Sequence, residues 1–304
     1  MNHLNLQNNP NRDSSKVLWR PDSTRINNTK LVHYMSWLKS ERHLHFEGYH
    51  DLWQWSVDKH EEFWGSVWEY FNIGKLNDYS NILSGSSIYD SKWFDGAKVN
   101  YCQNVFTKRD DDTAIIAINE KCQQTIISYA ELYLQVANIA AYFRSIGLTK
   151  GDRVAAYMTN SLEAVVSFLA TASIGAIWSS CAPEFGVNSV VQRFGQIEPK
   201  ILIASNGYRY AGKNHSRIEQ IEQLIEKIPS IKDTILVENV AAVKSDYLDN
   251  SVLWDEIVMN NPTLEFEHVE FNHPLWILYS SGTTGLPKPI VHGHGGILLE
   301  HHKT

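Results

Sequence analysis

Cysteine is scarce in this chain, with only Cys102, Cys122 and Cys181 among 304 residues. Thiols this few and this widely spaced exclude a disulfide framework and a cysteine-rich zinc site, so a reducing environment is predicted. Long apolar runs are also missing, and none approaches the roughly 20 residues that a membrane-spanning helix needs. Residues 1–12 are rich in asparagine and lack an apolar core, so no secretory signal is expected. These absences together predict a soluble, cytoplasmic protein without a membrane partner.

Basic residues are outnumbered by acidic ones. The chain has 27 lysines and arginines against 34 aspartates and glutamates, which gives a net charge of -7 with histidine neutral. General binding of nucleic acid needs a basic surface and is therefore excluded. With 43% hydrophobic and 20% charged residues, the composition is that of a globular protein. A chain of 304 residues can bury a substantial core in one or two domains.

The stretch at residues 275–288 carries the clearest chemical signal. It opens with bulky apolar residues that predict a buried strand, and then changes abruptly to hydroxyls and glycines. Glycine permits positive φ and close backbone approach, so successive N–H groups can point at one anion. Hydroxyls add donors, and a lysine adds a positive charge suited to phosphate oxygens. The candidate phosphate ligands are Ser280, Ser281, Gly282, Thr283, Thr284, Gly285 and Lys288.

This stretch differs from the common P-loop, in which Gly-Lys-Ser/Thr leads directly into a helix. Here Pro287 precedes Lys288, and residues 289–291 predict a second short strand. The pattern therefore predicts a strand–loop–strand arrangement. A polar β-hairpin with a solvated lysine is the competing interpretation. The density of hydroxyl and glycine residues before Pro-Lys favours phosphate binding.

Upstream of this stretch, β-branched runs alternate with helical patterns. Strands are predicted at residues 113–118, 125–127, 153–158, 176–179, 201–204 and 234–237. Helices are predicted at residues 128–146, 161–173, 188–198, 216–228 and, more weakly, 252–258. The first of these helices begins with a capping box formed by Ser128 and Glu131. Alternation of this kind implies right-handed crossovers, and it predicts a layered α/β fold with a Rossmann-like parallel sheet and flanking helices.

The first hundred residues have a different composition. Seven of the ten tryptophans lie before residue 94, and helices are predicted near residues 29–41 and 49–71. An aromatic ligand cage is the alternative, but aromatic packing of a helical cap on a larger domain is favoured, because aromatic side chains bury much area. We therefore predict a mobile segment at 1–30, a helical N-terminal extension at 31–100 and an α/β domain at 101–304.

Residues 175–186 contain a predicted strand that runs into a turn. Ligands of open α/β sheets gather at the carboxyl ends of strands, which makes Trp178, Pro183 and Glu184 candidate substrate contacts. Ordinary strand packing with a surface turn is equally compatible with the spacing. Cys181 has no neighbour in sequence that would lower the pKa of its thiol, so a partly buried structural thiol is predicted.

Residues 206–213 follow the next predicted strand. Two cations, Arg209 and Lys213, and two aromatic residues on a glycine-bearing loop suit an adenine ring and a terminal phosphate. A solvated basic loop is the favoured interpretation on residue types alone, because exposed charges are common. Four histidines crowd residues 292–302, but no carboxylate or cysteine at ligand spacing completes a metal site, and none is predicted.

The motifs in this chain resemble those of a known family, the adenylate-forming acyl-CoA synthetases. Residues 279–288 are similar to the family's nucleotide-phosphate loop, and residues 289–296 resemble the members that activate acetoacetate. Residues 93–101 resemble the junction between an N-terminal extension and the main domain. Most members carry glycine directly after the loop lysine. Pro289 departs from that pattern and removes one backbone donor.

The resemblance implies ATP-dependent ligation of acetoacetate to CoA through an acyl-adenylate, with Mg²⁺ as a further cofactor. The hydroxyls of the phosphate stretch and Lys288 would hold the ATP phosphates. Arg209 and Lys213 would hold the 3′-phosphate of CoA, a role that outweighs the solvated-loop interpretation. The stretch around Trp178 follows the pattern of the acetoacetate-activating members.

The resemblance covers the front part of the family's AMP-binding adenylation domain. Members continue past the phosphate loop with the adenine contacts, a metal-binding acid and a mobile C-terminal domain. The chain is therefore expected to be incomplete and inactive without a C-terminal segment, with an apolar sheet edge prone to association. Two alternatives stay open: a synthetase for another short acid, such as acetate or propionate, and a non-catalytic fragment that binds nucleotide or CoA.

Overall fold

The structure is a computed structural model, and it describes residues 18–74, 79–241, 243, 248, 251–260, 262–281 and 285–303. Contacts between residues divide the chain into two compact units, 1–66 and 67–304. The predicted domain boundaries at residues 30 and 100 stay predictions, as does the mobility of residues 1–30. A short helix, Ser23–Asn27, lies within that first segment.

Ten α-helices and one short 3-10 helix (Trp254–Glu256) lie in the described part of the chain. The α-helices are α1 (Ser23–Asn27), α2 (Lys30–Glu41), α3 (Tyr49–Asp58), α4 (His60–Tyr70), α5 (Tyr101–Val105), α6 (Tyr129–Ser145), α7 (Leu162–Ser173), α8 (Val187–Phe194), α9 (Ile218–Lys227) and α10 (His294–Lys303). In the described part of the chain, no helix has both the length and the apolar character needed to cross a bilayer.

Two helices of the first unit, α1 and α2, start at local capping signals. The hydroxyl of Thr29 accepts the N–H of Val32 at 3.3 Å and so begins α2. The prediction of one helix over residues 49–71 is wrong. Lys59 leaves the helical region with φ -126° and ψ 47°, and this separates α3 from α4. Periodicity alone could not show this break, because both helices keep an apolar face.

Fifteen strands lie among the described residues. They are β1 (Asn81–Ser84), β2 (Lys92–Asp95), β3 (Lys98–Val99), β4 (Thr113–Ile118), β5 (Gln124–Ser128), β6 (Arg153–Tyr157), β7 (Ile177–Cys181), β8 (Ile201–Ser205), β9 (Gly207–Tyr210), β10 (Lys213–Ser216), β11 (Asp233–Val237), β12 (Ser251–Leu253), β13 (Val269–Glu270), β14 (Pro274–Ser280) and β15 (Lys288–Gly293).

Seven of these strands form the main sheet of the second unit, in the order β12-β11-β8-β6-β7-β14-β15. The first six are parallel to one another, and β15 runs antiparallel to β14 at the edge. The chain enters the sheet at β6, moves to β7 on one side and then crosses to β8 on the other. The prediction of a layered α/β fold with a largely parallel sheet is confirmed.

Helices cover both faces of this sheet. Alternate residues of β8 show the division: Ile201 and Ile203 pack in a core with α6 and α7, whereas Leu202 and Ala204 pack in a second core with α8 and α9. The predicted capping box starts α6, with the Ser128 N–H donating to Glu131 at 2.8 Å and the Glu131 N–H donating back at 3.2 Å.

Two local predictions were wrong outside the first unit. The helix expected at residues 252–258 is the end of strand β12 followed by the 3-10 turn. The loop expected at residues 206–213 is most of an antiparallel hairpin, β9–β10. Its two-residue turn uses positive φ at Ala211 (48°) and Gly212 (78°), as such turns require. Alanine seldom adopts this conformation, so the turn had no clear sequence signal.

Candidate active site

The three candidate stretches meet at one edge of the main sheet. Because β7, β8 and β14 are parallel, the segments that follow them lie at the same, carboxyl edge. These segments are the turn at 182–186, the β9–β10 hairpin and the loop at 281–287. The order of strands also places the topological switch point of the sheet between β6 and β7. Open α/β sheets form ligand-binding crevices at such points.

The phosphate stretch is the connection of the β14–β15 hairpin, as the strand–loop–strand prediction required. Ser280 pairs with Lys288 across the two strands at the mouth of the loop. Ser280, Ser281, Gly285 and Lys288 are all exposed to solvent. Of the other predicted ligands, Gly282, Thr283 and Thr284 lie outside the described residues.

The proline after the loop lysine is accommodated by the sheet. Pro289 pairs with Tyr279, and β15 is the edge strand, where proline is tolerated because the ladder continues on one side only. The apolar edge predicted from the sequence is present. Ile290 and Val291 on β15 and Leu278 on β14 are 43%, 54% and 47% exposed.

Both ends of the phosphate loop are held by the end of α8. The Tyr279 hydroxyl donates to the Arg193 carbonyl at 2.7 Å, and the Gln196 side-chain amide donates to the Pro287 carbonyl at 2.9 Å. Burial raises the pKa of Tyr279 to about 12, so its hydroxyl stays protonated and can donate. Sequence reasoning missed these anchors, because Gln196 and Pro287 are 91 residues apart.

The turn after β7 is fixed through its carbonyl groups. The carbonyl of buried Pro183 accepts hydrogen bonds from the Tyr157 hydroxyl at 2.7 Å and from Arg217 Nε at 2.6 Å. Burial raises the pKa of Tyr157 to about 12, against the opposing effect of the Arg217 charge. Glu184 is exposed at the same turn. Pro183 therefore has a structural role that the sequence did not reveal.

Trp178 lies in a cleft beside α7 with a volume of about 430 Å³. The Phe168 ring lies 6.1 Å from the Trp178 ring and 5.5 Å from the Trp276 ring, measured between centroids. Thr159, Asn160 and Ser180 add polar groups to a lining that is otherwise mostly apolar. Trp178 packs in the α6–α7 core. Ala182, the first residue of the Pro183 turn, also lines the cleft, so the turn borders it.

The β9–β10 hairpin carries the two predicted CoA ligands near its tip. Lys213 pairs with Tyr210, and Arg209 pairs with Asn214, so the two cationic side chains lie on opposite faces of the hairpin. Arg209 is half-buried and donates to Asn214 at 3.5 Å, the limit of a hydrogen bond. Lys213 is exposed and makes no hydrogen bond or ion pair with any residue that the structure describes.

Cys181 is a buried thiol at the end of β7. Burial raises the pKa of the Cys181 thiol to about 12, which removes it as a nucleophile and agrees with a structural role. Within the described ranges, no three histidine, cysteine, aspartate or glutamate side chains come together as a metal site.

Comparison with known proteins places this geometry in a family. The model of the AMP-binding enzyme family matches residues 102–303, and a model of the acetyl-coenzyme A synthetase N-terminus matches residues 49–105. Acetoacetyl-CoA synthetase of Danio rerio is 38% identical, over 95% of this chain and 45% of the relative. Malonamoyl-CoA synthetase of Penicillium aethiopicum is 31% identical, over 95% and 42%.

A solved structure gives the same result. The fold matches acetoacetyl-CoA synthetase from Streptomyces lividans with a TM-score of 0.89 and 38% sequence identity, covering 94% of this chain and 44% of that one. The chain thus spans less than half the length of these relatives. Because the family model spans about two thirds of the sequence, the chain belongs to the AMP-binding enzyme family.

Proposed function

We propose that this chain supplies the phosphate loop and the CoA-binding hairpin of an ATP-dependent acyl-CoA synthetase that activates acetoacetate. The observation that carries the proposal is the position of the phosphate loop. It follows β14 at the carboxyl edge, with Lys288 paired to Ser280 and exposed beside it. The sequence similarity to two acetoacetyl-CoA synthetases supports acetoacetate as the acid. We place the reaction in the cytoplasm, because all three cysteines are free thiols.

The first half-reaction forms the acyl-adenylate. A carboxylate oxygen of acetoacetate attacks the α-phosphorus of ATP, and the bond to the pyrophosphate oxygen breaks. Lys288 and the hydroxyls of Ser280 and Ser281 hold the β- and γ-phosphates and stabilise the charge of the departing pyrophosphate. Mg²⁺ bound to these phosphates would share in neutralising that charge, since this ion is usually held by substrate phosphates and one or two carboxylates rather than by a protein cage.

The second half-reaction transfers the acyl group to CoA. The thiol sulfur attacks the carbonyl carbon of the adenylate, the bond to the AMP oxygen breaks, and the thiol proton passes to solvent. Arg209 and Lys213 hold the 3′-phosphate at the tip of the hairpin, which both side chains border. Trp178 lines the cleft that takes the apolar end of the acid. Substrate contacts from Pro183 and Glu184 stay predictions.

The direct test is acetoacetate-dependent exchange of labelled pyrophosphate into ATP. The chain matches at most 45% of the relatives compared above, so we expect the 304 residues alone to give no exchange above background. Exchange should appear when the segment corresponding to the rest of these relatives is supplied. Silence in both mixtures would refute the proposed function, whereas exchange by the chain alone would refute only its dependence on a further segment.

A panel of acids separates the alternatives. Acetate, propionate, malonamate and acetoacetate are each tested in the same exchange assay. The acid that gives the highest rate of pyrophosphate exchange is the substrate. The exchange rate with acetoacetate should exceed that with each other acid by at least about tenfold. A change in one polar group of the acid should make its binding free energy in the site less favourable by more than about 1.4 kcal/mol. Tight ATP or CoA binding with no exchange for any acid would favour a non-catalytic module.

Replacement of the loop lysine should weaken nucleotide binding without weakening the fold. Lys288→Ala removes a charge that forms charge-assisted hydrogen bonds to phosphate, so ATP affinity should fall about 10- to 100-fold. The urea midpoint should not change, because the side chain is exposed. Titration calorimetry with ATP measures the first effect. Lys121→Ala, at an exposed turn, is the matched control, and equal ATP affinities of the two variants would contradict the assignment.

A further inference from the structure

Arg217 connects two of the loops at the carboxyl edge. Its Nε donates to the Pro183 carbonyl at 2.6 Å, and its Nη2 donates to the Tyr208 hydroxyl at 2.9 Å. The guanidinium carbon also lies 4.8 Å from the centre of the Tyr208 ring, within cation–π distance. A third bond runs from Nη1 to the neighbouring Ser216 carbonyl at 3.0 Å. One side chain thus holds the turn after β7 and the base of the β9–β10 hairpin together.

Other groups hold this side chain in place. The Arg217 N–H donates to the Asn206 carbonyl at 2.8 Å, which fixes the backbone where α9 begins. The Tyr157 hydroxyl lies 2.7 Å from both the Pro183 and the Phe185 carbonyl oxygens, which fixes the turn. All three guanidinium nitrogens of Arg217 donate to oxygen atoms of the protein. Three of the five N–H groups of the guanidinium are therefore used in contacts within the protein.

The hairpin, in contrast, sets the direction in which the Arg209 side chain points. The one hydrogen bond of Arg209 to a residue that the structure describes, Asn214, has the limiting length of 3.5 Å. Strand alternation sets the face from which its side chain leaves, and the hairpin backbone sets where that face points. On the opposite strand, His215 stacks on Tyr208 with centroids 5.1 Å apart, so the base of the hairpin moves with Tyr208. The contact between Tyr208 and Arg217 therefore controls where the tip lies.

We propose that Arg217 is a positioning residue for CoA: it holds the β9–β10 hairpin against the turn at 182–186 so that Arg209 meets the 3′-phosphate. The proposal rests on the proposed function of the hairpin. Lysine at position 217 would keep the positive charge, but one ammonium group cannot donate along two fixed directions and cover the Tyr208 ring in the same way. Charge and position can therefore be separated by experiment.

The first measurement is the affinity of the chain for CoA and for 3′-dephospho-CoA by titration calorimetry. Arg209→Ala should weaken CoA about tenfold and leave 3′-dephospho-CoA unchanged, because it removes one contact to the phosphate. Arg217→Ala should also lower the preference for CoA about tenfold, and Arg217→Lys should lower it nearly as much. Full retention of the preference by Arg217→Lys would show that only charge matters and would overturn the positioning role.

The second measurement is hydrogen exchange of the same variants without ligand. Arg217→Ala should speed exchange about tenfold in residues 182–186 and 207–216, whereas Arg209→Ala should leave both segments unchanged. Tyr208→Phe keeps the aromatic ring and removes only the hydroxyl that accepts from Arg217. It is therefore the milder test of this contact if Arg217→Ala folds poorly. Unchanged exchange in both Arg217→Ala and Tyr208→Phe would overturn the proposal. If the unsubstituted chain binds CoA no more tightly than 3′-dephospho-CoA, the proposed function of the hairpin is refuted instead. Hydrogen exchange would then still decide whether Arg217 holds the two segments together.

Discussion

Gly295→Ala should destabilise the second unit by about 2–3 kcal/mol, because the added methyl group would overlap the ring of Phe271. The ring has little room to move away. It stacks on Phe94 with centroids 5.3 Å apart and lies 6.3 Å from Trp68, and these two side chains are themselves stacked at 4.4 Å. All three rings are buried. The Gly295 N–H also donates to the Phe271 carbonyl at 2.9 Å, so the backbone cannot shift without losing that bond.

The next residue gives a matched control. Gly296 lies in the same first turn of α10, is exposed, and has no atom within 4 Å of an added methyl group. Gly296→Ala should therefore stabilise the protein by about 0.5–1 kcal/mol through helix propensity alone. Urea unfolding followed by circular dichroism compares the two variants with the parent chain. Equal midpoints for Gly295→Ala and Gly296→Ala would show that the Phe271 ring relaxes freely and would refute the packing argument.

Local signals in the sequence predicted the elements that local physics controls. Ser128 and Glu131 predicted the start of α6, because a capping box needs only residues three apart. The strand predicted at 201–204 was confirmed as β8, since a short β-branched run between helices is buried on both faces. The strand–loop–strand form of the phosphate stretch followed equally from Pro287 and the apolar residues on either side.

Contacts between distant parts of the chain had no such signal. Nothing near Pro183 in sequence indicates that Arg217 will donate to it, 34 residues away. The parallel pairing of Trp276 with Trp178 depends on the order of strands, which alternation of strands and helices does not determine. The candidate residues could therefore be named from the sequence, but not the residues that hold them. Gln196, Tyr157 and Arg217 emerge only when the loops are seen together.

The N-terminal turn of α10 contains a second feature with a large expected effect, a buried neutral histidine. His294 is fully buried, and its Nδ1 accepts the Tyr101 N–H at 3.1 Å. The neutral ring therefore carries its proton on Nε2, which has no partner among the described residues. Burial, with a smaller contribution from the charge of His273, lowers the pKa of His294 from 6.5 to about 3. His273 is the titratable group that faces it, with ring centroids 5.8 Å apart.

Stability should consequently fall as the pH falls below 6.5. Between the two pKa values the unfolded chain binds a proton at this histidine and the folded chain does not, so acid favours unfolding. Each pH unit in that window costs about 1.4 kcal/mol, which amounts to up to about 3 kcal/mol between pH 7 and pH 4.5. The stability is present in full above pH 6.5 and is lost progressively toward pH 3.

His294→Asn tests this linkage, since asparagine keeps an acceptor near the Tyr101 N–H and does not titrate. The variant should be less stable than the parent at pH 7, because it leaves a small cavity. Its urea midpoint should nevertheless depend less on pH, so the difference between the two proteins should narrow by up to about 3 kcal/mol on going from pH 7 to pH 4.5. His50→Asn, at an exposed position on α3, is the matched control for the loss of one histidine. Parallel stability curves for the parent and His294→Asn would mean that His294 takes up its proton in the folded state as readily as in the unfolded chain.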